Sequence, residues 1–246
     1  MMKLYDLFQR YASKPKGQYP HGEAFPHEHH ANERSFILNF VKKGGVGAEF
    51  GVFRGHFSEI IVRVVEPTKL YLVDPWTKYG ERFNWGDMPF TEFNKLTTLE
   101  AKEDTERRMQ AHRGRVELIE DFEEEFCKSF QSTLDFVYLD SSHFYINTLR
   151  TLIMVDRILA SDGVLIGDDW YWDTDHFSGV CRAVNDFVRC FDYEICYAGH
   201  KGQFCIRRTP EWTHEYHPER RPPFHDIRNW ALEANGGQIP QSFMLT

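Results

Sequence analysis

Apolar residues fall into two patterns along the chain, and the patterns alternate. Short continuous runs such as "KLYLVD" predict strands that are buried on both faces, and apolar positions three or four residues apart predict helices. The continuous runs predict five parallel strands, at 46–50, 69–74, 115–119, 134–140 and 163–169. The spaced positions predict helices near 33–43, 56–65, 92–112, 122–130, 144–160 and 178–190.

Two further runs, at 192–198 and 203–208, are joined by the short turn "GHKG" and predict an antiparallel hairpin. The predicted fold class is therefore α/β: a Rossmann-like, seven-stranded, mostly parallel sheet with an antiparallel C-terminal hairpin and helices on both faces. Residues 33–208 form the predicted domain. Residues 1–32 are predicted to be an N-terminal arm, and residues 209–246 a tail packed on the body or on a partner.

Charge and composition narrow the classes of protein. A net charge of −8 argues against a nucleic-acid-binding surface, because phosphates need a basic face. Five cysteines without a C-x-x-C pair indicate reduced thiols and a cytoplasmic protein. No apolar run approaches the length of a membrane span, so neither a span nor a targeting segment is expected. The two arms are of the kind that exchange between subunits, which makes a homo-oligomer one prediction.

Acidic residues stand at the ends of the predicted strands, and an open parallel sheet binds its ligands there. After the first strand, "EFGVFRG" lacks the G-x-G-x-x-G spacing of dinucleotide-binding loops. Glu49 within this loop would repel a phosphate and would suit an ammonium group. A tight strand–helix turn without a ligand is the alternative. Asp74 ends the second strand, where an acid can accept both ribose hydroxyls, although Asp before Pro also starts turns.

The stretches "AEFGVFRG", "LYLVDPW", "VELIEDFEEEF" and "LDFVYLDSSHFY…ILASDGVLIGDDW" resemble the motifs of class I S-adenosylmethionine-dependent methyltransferases. Within that class the chain resembles the macrocin O-methyltransferase-like group and, more distantly, catechol O-methyltransferase, over roughly residues 33 to 208. The resemblance implies that S-adenosylmethionine is bound by Glu49, Gly51, Gly55, Asp74, Asp121, Phe122 and Asp140. Glu49 would face the ammonium group, Asp74 the ribose and Asp121 the adenine. The acids of "EDFEEEF" also suit a helix start.

Asp140, Asp168 and Asp169 end the fourth and fifth predicted strands. Three converging carboxylates repel one another unless a cation neutralises them, and hard oxygen ligands suit Mg²⁺. Such a metal would bind a substrate hydroxyl and lower its pKa. In the catechol type the second residue of the strand-five pair is not an acid. The alternative is that Asp168 and Asp169 only cap a loop.

His143 stands three residues after Asp140, where the catechol type carries a lysine that acts as general base. An imidazole takes up protons near neutral pH, so His143 is the predicted catalytic base, beside Asp140. A structural or merely exposed histidine is the alternative. The loop after Asp169 supplies the predicted acceptor-pocket residues Trp170, Tyr171, Trp172 and His176. The histidines of "PHEHH" (His27, His29 and His30) are interpreted as an exposed arm rather than a transition-metal site.

These observations together predict an S-adenosylmethionine-dependent O-methyltransferase, assisted by a divalent metal. Its acceptor would be a hydroxyl of a small organic molecule: a sugar, a glycosylated natural product or a phenol. A nicotinamide-dependent oxidoreductase is an alternative that the acid in the glycine loop disfavours. A methyltransferase-fold binding module without catalysis is a second alternative, and the converging acids argue against it. A metal-dependent oxygenase would need more histidines than this set offers.

Overall fold

The computed structural model of the chain describes residues 25–84, 88–170 and 178–212. The chain divides into two compact units, residues 1–129 and 130–246. The described ranges contain six α-helices: α1 His27–Arg34, α2 His56–Val64, α3 Thr98–Arg108, α4 Glu123–Ser129, α5 Tyr145–Ile158 and α6 Ser178–Cys190. They contain seven strands: β1 Val46–Phe50, β2 Lys69–Asp74, β3 Val116–Glu120, β4 Leu134–Leu139, β5 Leu159–Gly167, β6 Tyr193–Ala198 and β7 Phe204–Arg208.

Three parallel strands form the sheet of the first unit. Val46 of β1 lies opposite Lys69 of β2, and Asp74 at the end of β2 lies opposite Glu120 at the end of β3. This register brings the carboxyl ends of the three strands to one edge. The acids that the sequence places at strand ends therefore share that edge.

Local sequence features determine where two helices of the first unit begin. Helix α2 follows the glycine-containing loop after β1 and buries an apolar face that includes Phe57 and Ile61. Helix α3 begins with a capping box: the Thr97 hydroxyl accepts from the Glu100 backbone N–H at 3.1 Å, and the Glu100 carboxylate accepts from the Thr97 backbone N–H at 2.7 Å. The two bonds satisfy donors that a helix start leaves open.

The second unit carries a mixed sheet. Strand β5 pairs parallel with β4 and antiparallel with β7, and β6 pairs antiparallel with β7. At the end of β5, Gly167 lies opposite both Leu139 and Phe204. A Cβ atom at position 167 would lie 2.6 Å from the Leu139 carbonyl oxygen and 2.6 Å from the Phe204 ring. Only glycine allows β4 and β7 to approach β5 this closely.

The strand order across the seven-stranded sheet is β3-β2-β1-β4-β5-β7-β6. Only β7 runs against the direction of its neighbours, which makes the hairpin β6–β7 the antiparallel end of the sheet. The predicted fold class, a Rossmann-like α/β sheet with an antiparallel C-terminal hairpin, is confirmed.

Several element boundaries differ from those predicted. The predicted helix at 33–43 is an α-helix from His27 to Arg34 followed by a 3-10 helix from Ser35 to Phe40. Ala31 alone is buried in α1, so this polar helix carries almost no apolar period from which its start could be predicted. The predicted helix at 92–112 is only α3. Left-handed φ angles at Glu92, Phe93 and Asn94 prevent a helix before Thr98, and a 3-10 turn occupies Gln110–His112. Strand β5 starts at Leu159, four residues before the predicted start.

No helix within the described ranges has the length and apolar character that crossing a bilayer requires. Most of the predicted N-terminal arm and nearly all of the predicted tail lie outside the described residues. So do three predicted acceptor-pocket residues: Tyr171, Trp172 and His176.

Candidate functional site

The loop after β1 adopts left-handed backbone conformations at three of its five residues. Gly51, Phe53 and Gly55 have φ angles of 84°, 56° and 73°. Gly51 and Gly55 are glycines, which take such angles without strain, whereas Phe53 must be held there. The Phe53 carbonyl oxygen accepts from the Trp76 indole N–H at 2.8 Å and from the Thr105 hydroxyl at 3.2 Å.

Asp74 holds the same loop from the end of β2. Its Oδ2 accepts from the backbone N–H groups of Val52 and Phe53, each at 2.9 Å, and its Oδ1 accepts from the Trp76 N–H at 2.8 Å. The carboxyl is buried, and burial raises its pKa to about 6 against the opposing effect of these donors. Asp74 thus shapes the glycine loop in addition to its predicted contact with the ribose.

Replacing Asp74 with alanine leaves three backbone N–H groups without their acceptor. We expect a stability loss of about 3 kcal/mol, the combined cost of several unmade buried hydrogen bonds. The affinity for S-adenosylhomocysteine should fall about tenfold or more, since a loss of about 1.4 kcal/mol suffices for that. Urea unfolding and isothermal titration measure the two effects. Glu103→Ala, which removes an exposed acid from the same unit, is the control; unchanged binding in Asp74→Ala would contradict the role of Asp74.

Glu49 and Gly55 lie where the sequence predicts, and each has a protein partner. Glu49 is buried and accepts a short hydrogen bond from the Ser58 hydroxyl of α2. A Cβ at position 55 would lie 3.1 to 3.2 Å from side-chain and backbone atoms of Thr105, so this glycine lets α3 pack against the loop. The contacts of Glu49, Gly51 and Gly55 with a cofactor stay predictions.

The end of β3 carries two acids, and lysines pair with both. Asp121 lies 3.0 Å from the Lys78 ammonium, and Glu120 lies 2.6 Å from the Lys102 ammonium. The Lys78 contact lowers the pKa of Asp121 below its usual range. Phe122 follows with a largely exposed ring, which is available for stacking on an adenine. These lysine partners could not be predicted from the sequence, and the assignment of Asp121 and Phe122 to adenine stays a prediction.

The second unit gathers a histidine and two carboxylates after β4 and β5. Ligand atoms of Asp140, His143 and Asp169 all lie within 4.8 Å of one another. Nε2 of His143 is 2.7 Å from Oδ2 of Asp169. Asp169 has a φ angle of 64°, a conformation that aspartate tolerates better than most residues. Three predicted catalytic or metal-binding residues are therefore neighbours in space.

Electrostatics favour a protonated His143 in this group. Burial lowers the pKa of His143, but the adjacent carboxylates of Asp169, Asp140 and Asp168 outweigh burial and raise the pKa to about 9. Asp169 makes the largest of these contributions because it also accepts the hydrogen bond.

Asp168, the remaining predicted metal ligand, is not part of this group. Its carboxylate is buried, and Oδ1 accepts from the Gln203 amide at 2.5 Å and from the Asp169 N–H at 2.8 Å. Trp170, the one described residue of the predicted acceptor pocket, is partly buried 6.1 Å from the Phe204 ring.

Sequence reasoning missed two residues that support the group. Gln203 is fully buried and bonds Asp168. Gly179, near the start of α6, packs so closely that a Cβ there would lie 2.1 Å from the His143 carbonyl oxygen. Neither glutamine nor glycine is a residue type that by itself indicates a functional site. Gln203 contacts the loop after β5 and Gly179 the loop after β4, each from a distant part of the sequence.

The prediction that His27, His29 and His30 belong to an exposed arm is wrong for two of the three residues. His27 starts α1 instead of belonging to an extended connector, and its ring stacks on His56 with centroids 5.1 Å apart. His30 packs edge-on against Phe25. His29 is exposed and lies 3.9 Å from Glu33, as expected for a solvated position.

Comparison with known proteins identifies a family for this chain. The profile of a family described as a methyltransferase domain matches residues 48–170, which is half of the chain. A search among curated proteins found no significant match.

Several solved structures are similar to this chain. A Clostridium thermocellum protein assigned as an rRNA methylase has a TM-score of 0.50 and 15% identity, over 72% of this chain and 96% of that chain. A Streptococcus mutans protein assigned as a methyltransferase, in complex with S-adenosylhomocysteine, has a TM-score of 0.47 and 13% identity, over 75% and 97% of the two chains. At this identity the first of these shows the fold alone.

A seven-stranded sheet of this order, with a glycine loop after β1 and an acid at the end of β2, defines a class I methyltransferase. The chain belongs to the methyltransferase-domain family, and it is an enzyme that uses S-adenosylmethionine.

Proposed function

We propose that the enzyme transfers the methyl group of S-adenosylmethionine to a hydroxyl of a small organic acceptor. A sugar, a glycosylated natural product or a phenol would fit, as in the macrocin O-methyltransferase-like group that the motifs resemble. The observation that carries the proposal is the contact of 2.7 Å between His143 and Asp169, with Asp140 in the same group. A hydroxyl must lose its proton during methylation, and this group offers a base.

His143 and Asp169 have different roles in removing the proton of the acceptor hydroxyl. In the neutral ring, Asp169 holds the proton on Nε2 of His143, which leaves Nδ1 to accept the proton of the acceptor hydroxyl. Asp169 therefore orients the imidazole and stabilises the imidazolium that forms, as the acid does in a catalytic triad. Positioning of the hydroxyl in line with the sulfonium methyl would supply most of the remaining rate enhancement.

The donor set also fits a divalent metal. Mg²⁺ is commonly held by one or two carboxylates together with water and substrate oxygens, and Asp140 and Asp169 provide two carboxylates within 4.8 Å. Asp168 is directed to Gln203, so the predicted set of three acids is replaced by these two. A bound metal would lower the pKa of the acceptor hydroxyl. It would also offset the carboxylate charge that keeps His143 protonated.

The test is a methyl-transfer assay with S-adenosylmethionine and a panel of phenols, sugars and glycosylated macrolides, with products identified by NMR. We expect a methoxy product, loss of turnover in EDTA and recovery with Mg²⁺. His143→Gln keeps a donor for Asp169 but no base, so kcat should fall about 10²- to 10⁴-fold while S-adenosylhomocysteine affinity is unchanged. His29→Gln, at an exposed position, is the matched control. Methylation at nitrogen, or a wild-type kcat in His143→Gln, would refute the proposal.

A further inference from the structure

Gln203 occupies a fully buried position in the turn between β6 and β7. Its amide oxygen accepts from the Tyr138 hydroxyl of β4 at 3.2 Å. Its amide nitrogen donates to Oδ1 of Asp168 at 2.5 Å and to the Lys201 carbonyl at 3.2 Å. A flipped amide would turn its oxygen toward the Asp168 carboxylate and the Lys201 carbonyl, which are both acceptors. Only one orientation of the amide therefore satisfies all three contacts.

The same turn holds the chain on the other side of Asp169. The Trp170 backbone N–H donates to the Gly202 carbonyl oxygen at 2.7 Å. The segment from Asp168 to Trp170 is therefore tied at both ends to residues 202 and 203. A segment tied at both ends has little freedom to relax its backbone.

Asp169, between these two ties, has the left-handed φ angle of 64°. Its N–H donates to Oδ1 of Asp168 at 2.8 Å, the same oxygen that Gln203 bonds. Gln203 thus holds the Asp168 carboxylate in place, and that carboxylate accepts the hydrogen bond of the Asp169 backbone. The Asp169 carboxylate in turn lies 2.7 Å from Nε2 of His143. Without the amide, Asp168 keeps the Asp169 N–H as a donor to Oδ1 but loses the side-chain donor that holds this oxygen from the other side. Loss of a hydrogen bond to a buried carboxylate costs free energy and favours a rotation of the Asp168 side chain.

We propose that Gln203 is a positioning residue for Asp169: it acts through Asp168 to present the Asp169 carboxylate to His143 and to a bound divalent cation. The proposal rests on the proposed function, because it assigns Gln203 to the methyl-transfer group. It also gives the terminal hairpin a role in the reaction, since the turn between β6 and β7 supplies both ties. Supporting residues of this kind change metal affinity or activity by about 10- to 100-fold when they are replaced.

The test compares Gln203→Met, similar in shape but without an amide, with Tyr138→Phe, which keeps the amide and removes one of the three hydrogen bonds that orient it. For Gln203→Met we expect about a tenfold or greater loss in kcat and in Mn²⁺ affinity, the latter measured by electron paramagnetic resonance. S-adenosylhomocysteine affinity should change little, because all but one of the predicted cofactor-binding residues lie in the first unit and the exception, Asp140, is not a hydrogen-bond partner of Gln203. Tyr138→Phe should show smaller losses in the same direction, and it serves as the main test if Gln203→Met does not fold.

Amide hydrogen exchange at Asp169 and Trp170 gives a readout that needs neither metal nor acceptor. Both amides should exchange about tenfold or more faster in Gln203→Met than in the wild type, at equal global stability. Wild-type kcat, Mn²⁺ affinity and exchange in Gln203→Met would overturn the positioning role. If the wild type binds no Mn²⁺ and methylates no acceptor, the proposed function fails, whereas faster exchange in the variant would still support the tie between Gln203 and Asp169.

Discussion

Replacing Gly179 with alanine is expected to lower kcat about 100-fold, because misplacing a catalytic group by about 1 Å has that effect. The added Cβ would lie 2.1 Å from the His143 carbonyl oxygen and 2.8 Å from the Tyr145 backbone nitrogen. Both are backbone atoms, so no change of rotamer relieves the clash. The segment from His143 to Tyr145 must move, and His143 then loses its contact with Asp169. Overpacking of this kind also costs about 1 to 3 kcal/mol of stability.

The expected loss of stability in Gly179→Ala is opposite in sign to the effect that helix propensity predicts. Alanine is favoured over glycine in a helix, by up to about 1 kcal/mol in the interior and by less in the first turn, where Gly179 lies. Helix propensity alone therefore predicts that Gly179→Ala slightly stabilises the protein. Gly114→Ala, in a turn outside the helices, is the control for adding a Cβ without a clash, because nothing lies within 4 Å of a Cβ at that position. The measurements are kcat and urea unfolding of both variants. A Gly179→Ala enzyme that keeps the wild-type kcat would show that His143 tolerates displacement or has no catalytic role.

Acid is expected to destabilise the first unit through two histidines. Burial, together with the nearby positive charges of Arg54 and Arg108, lowers the pKa of His27 to about 3 and the pKa of His56 to about 4. The unfolded chain keeps the usual value of about 6.5, so it binds protons more tightly than the folded protein below that pH. Stability is therefore present above pH 6.5 and is lost as the pH falls toward 4.

The expected loss between pH 7 and pH 4.5 is on the order of 4 kcal/mol, from about 1.4 kcal/mol for each pKa unit at each histidine. Asp74 acts in the opposite direction. Its pKa is raised to about 6, so the folded protein takes up that proton first and gains stability as the pH falls. The net loss is therefore smaller than the two histidines alone would give.

His27→Phe isolates the histidine contribution. The variant replaces a ring whose buried Nε2 has no hydrogen-bond partner among the described residues, and it keeps the stacking on His56. Urea unfolding across this pH range should show a shallower dependence than in the wild type, with equal or greater stability at pH 7. His29→Phe, on an exposed face of α1, should leave the dependence unchanged. An identical pH dependence in His27→Phe and the wild type would contradict the assignment.

The sequence predicted the strands of the first unit well because glycines, prolines and charges bound each apolar run. The predicted bounds of β1 and β2 agree with the observed ones residue for residue. The acids that follow those strands could be located for the same reason. Helix α1 could not be predicted in full, since its polar residues leave no apolar stripe to detect.

The candidate site of the second unit was predicted in its residues but not in its geometry. Asp168 and Asp169 are neighbours in sequence, yet one bonds Gln203 and the other contacts His143. Both acids follow the last residue of β5, and Asp169 has a left-handed φ angle of 64° that sets the direction of its side chain. The sequence does not reveal this backbone conformation, so it could not say which acid enters the site. Gln203 lies 35 residues after its partner Asp168, and Gly179 lies 36 residues after His143, against which it packs. Neither residue carries a local sequence signal for this contact.

The insertion of β7 between β5 and β6 also determines when the protein becomes competent during synthesis. Strand β5 keeps one unpaired edge until residues 204–208 have emerged, and an open edge of this kind is a template for aggregation. The donor for Asp168 is made 35 residues after Asp168 itself. A nascent chain that stops before Gln203 therefore carries every acid of the site without the hairpin that arranges them. On the proposed role of Gln203, the site is therefore assembled only after synthesis has passed the turn between β6 and β7.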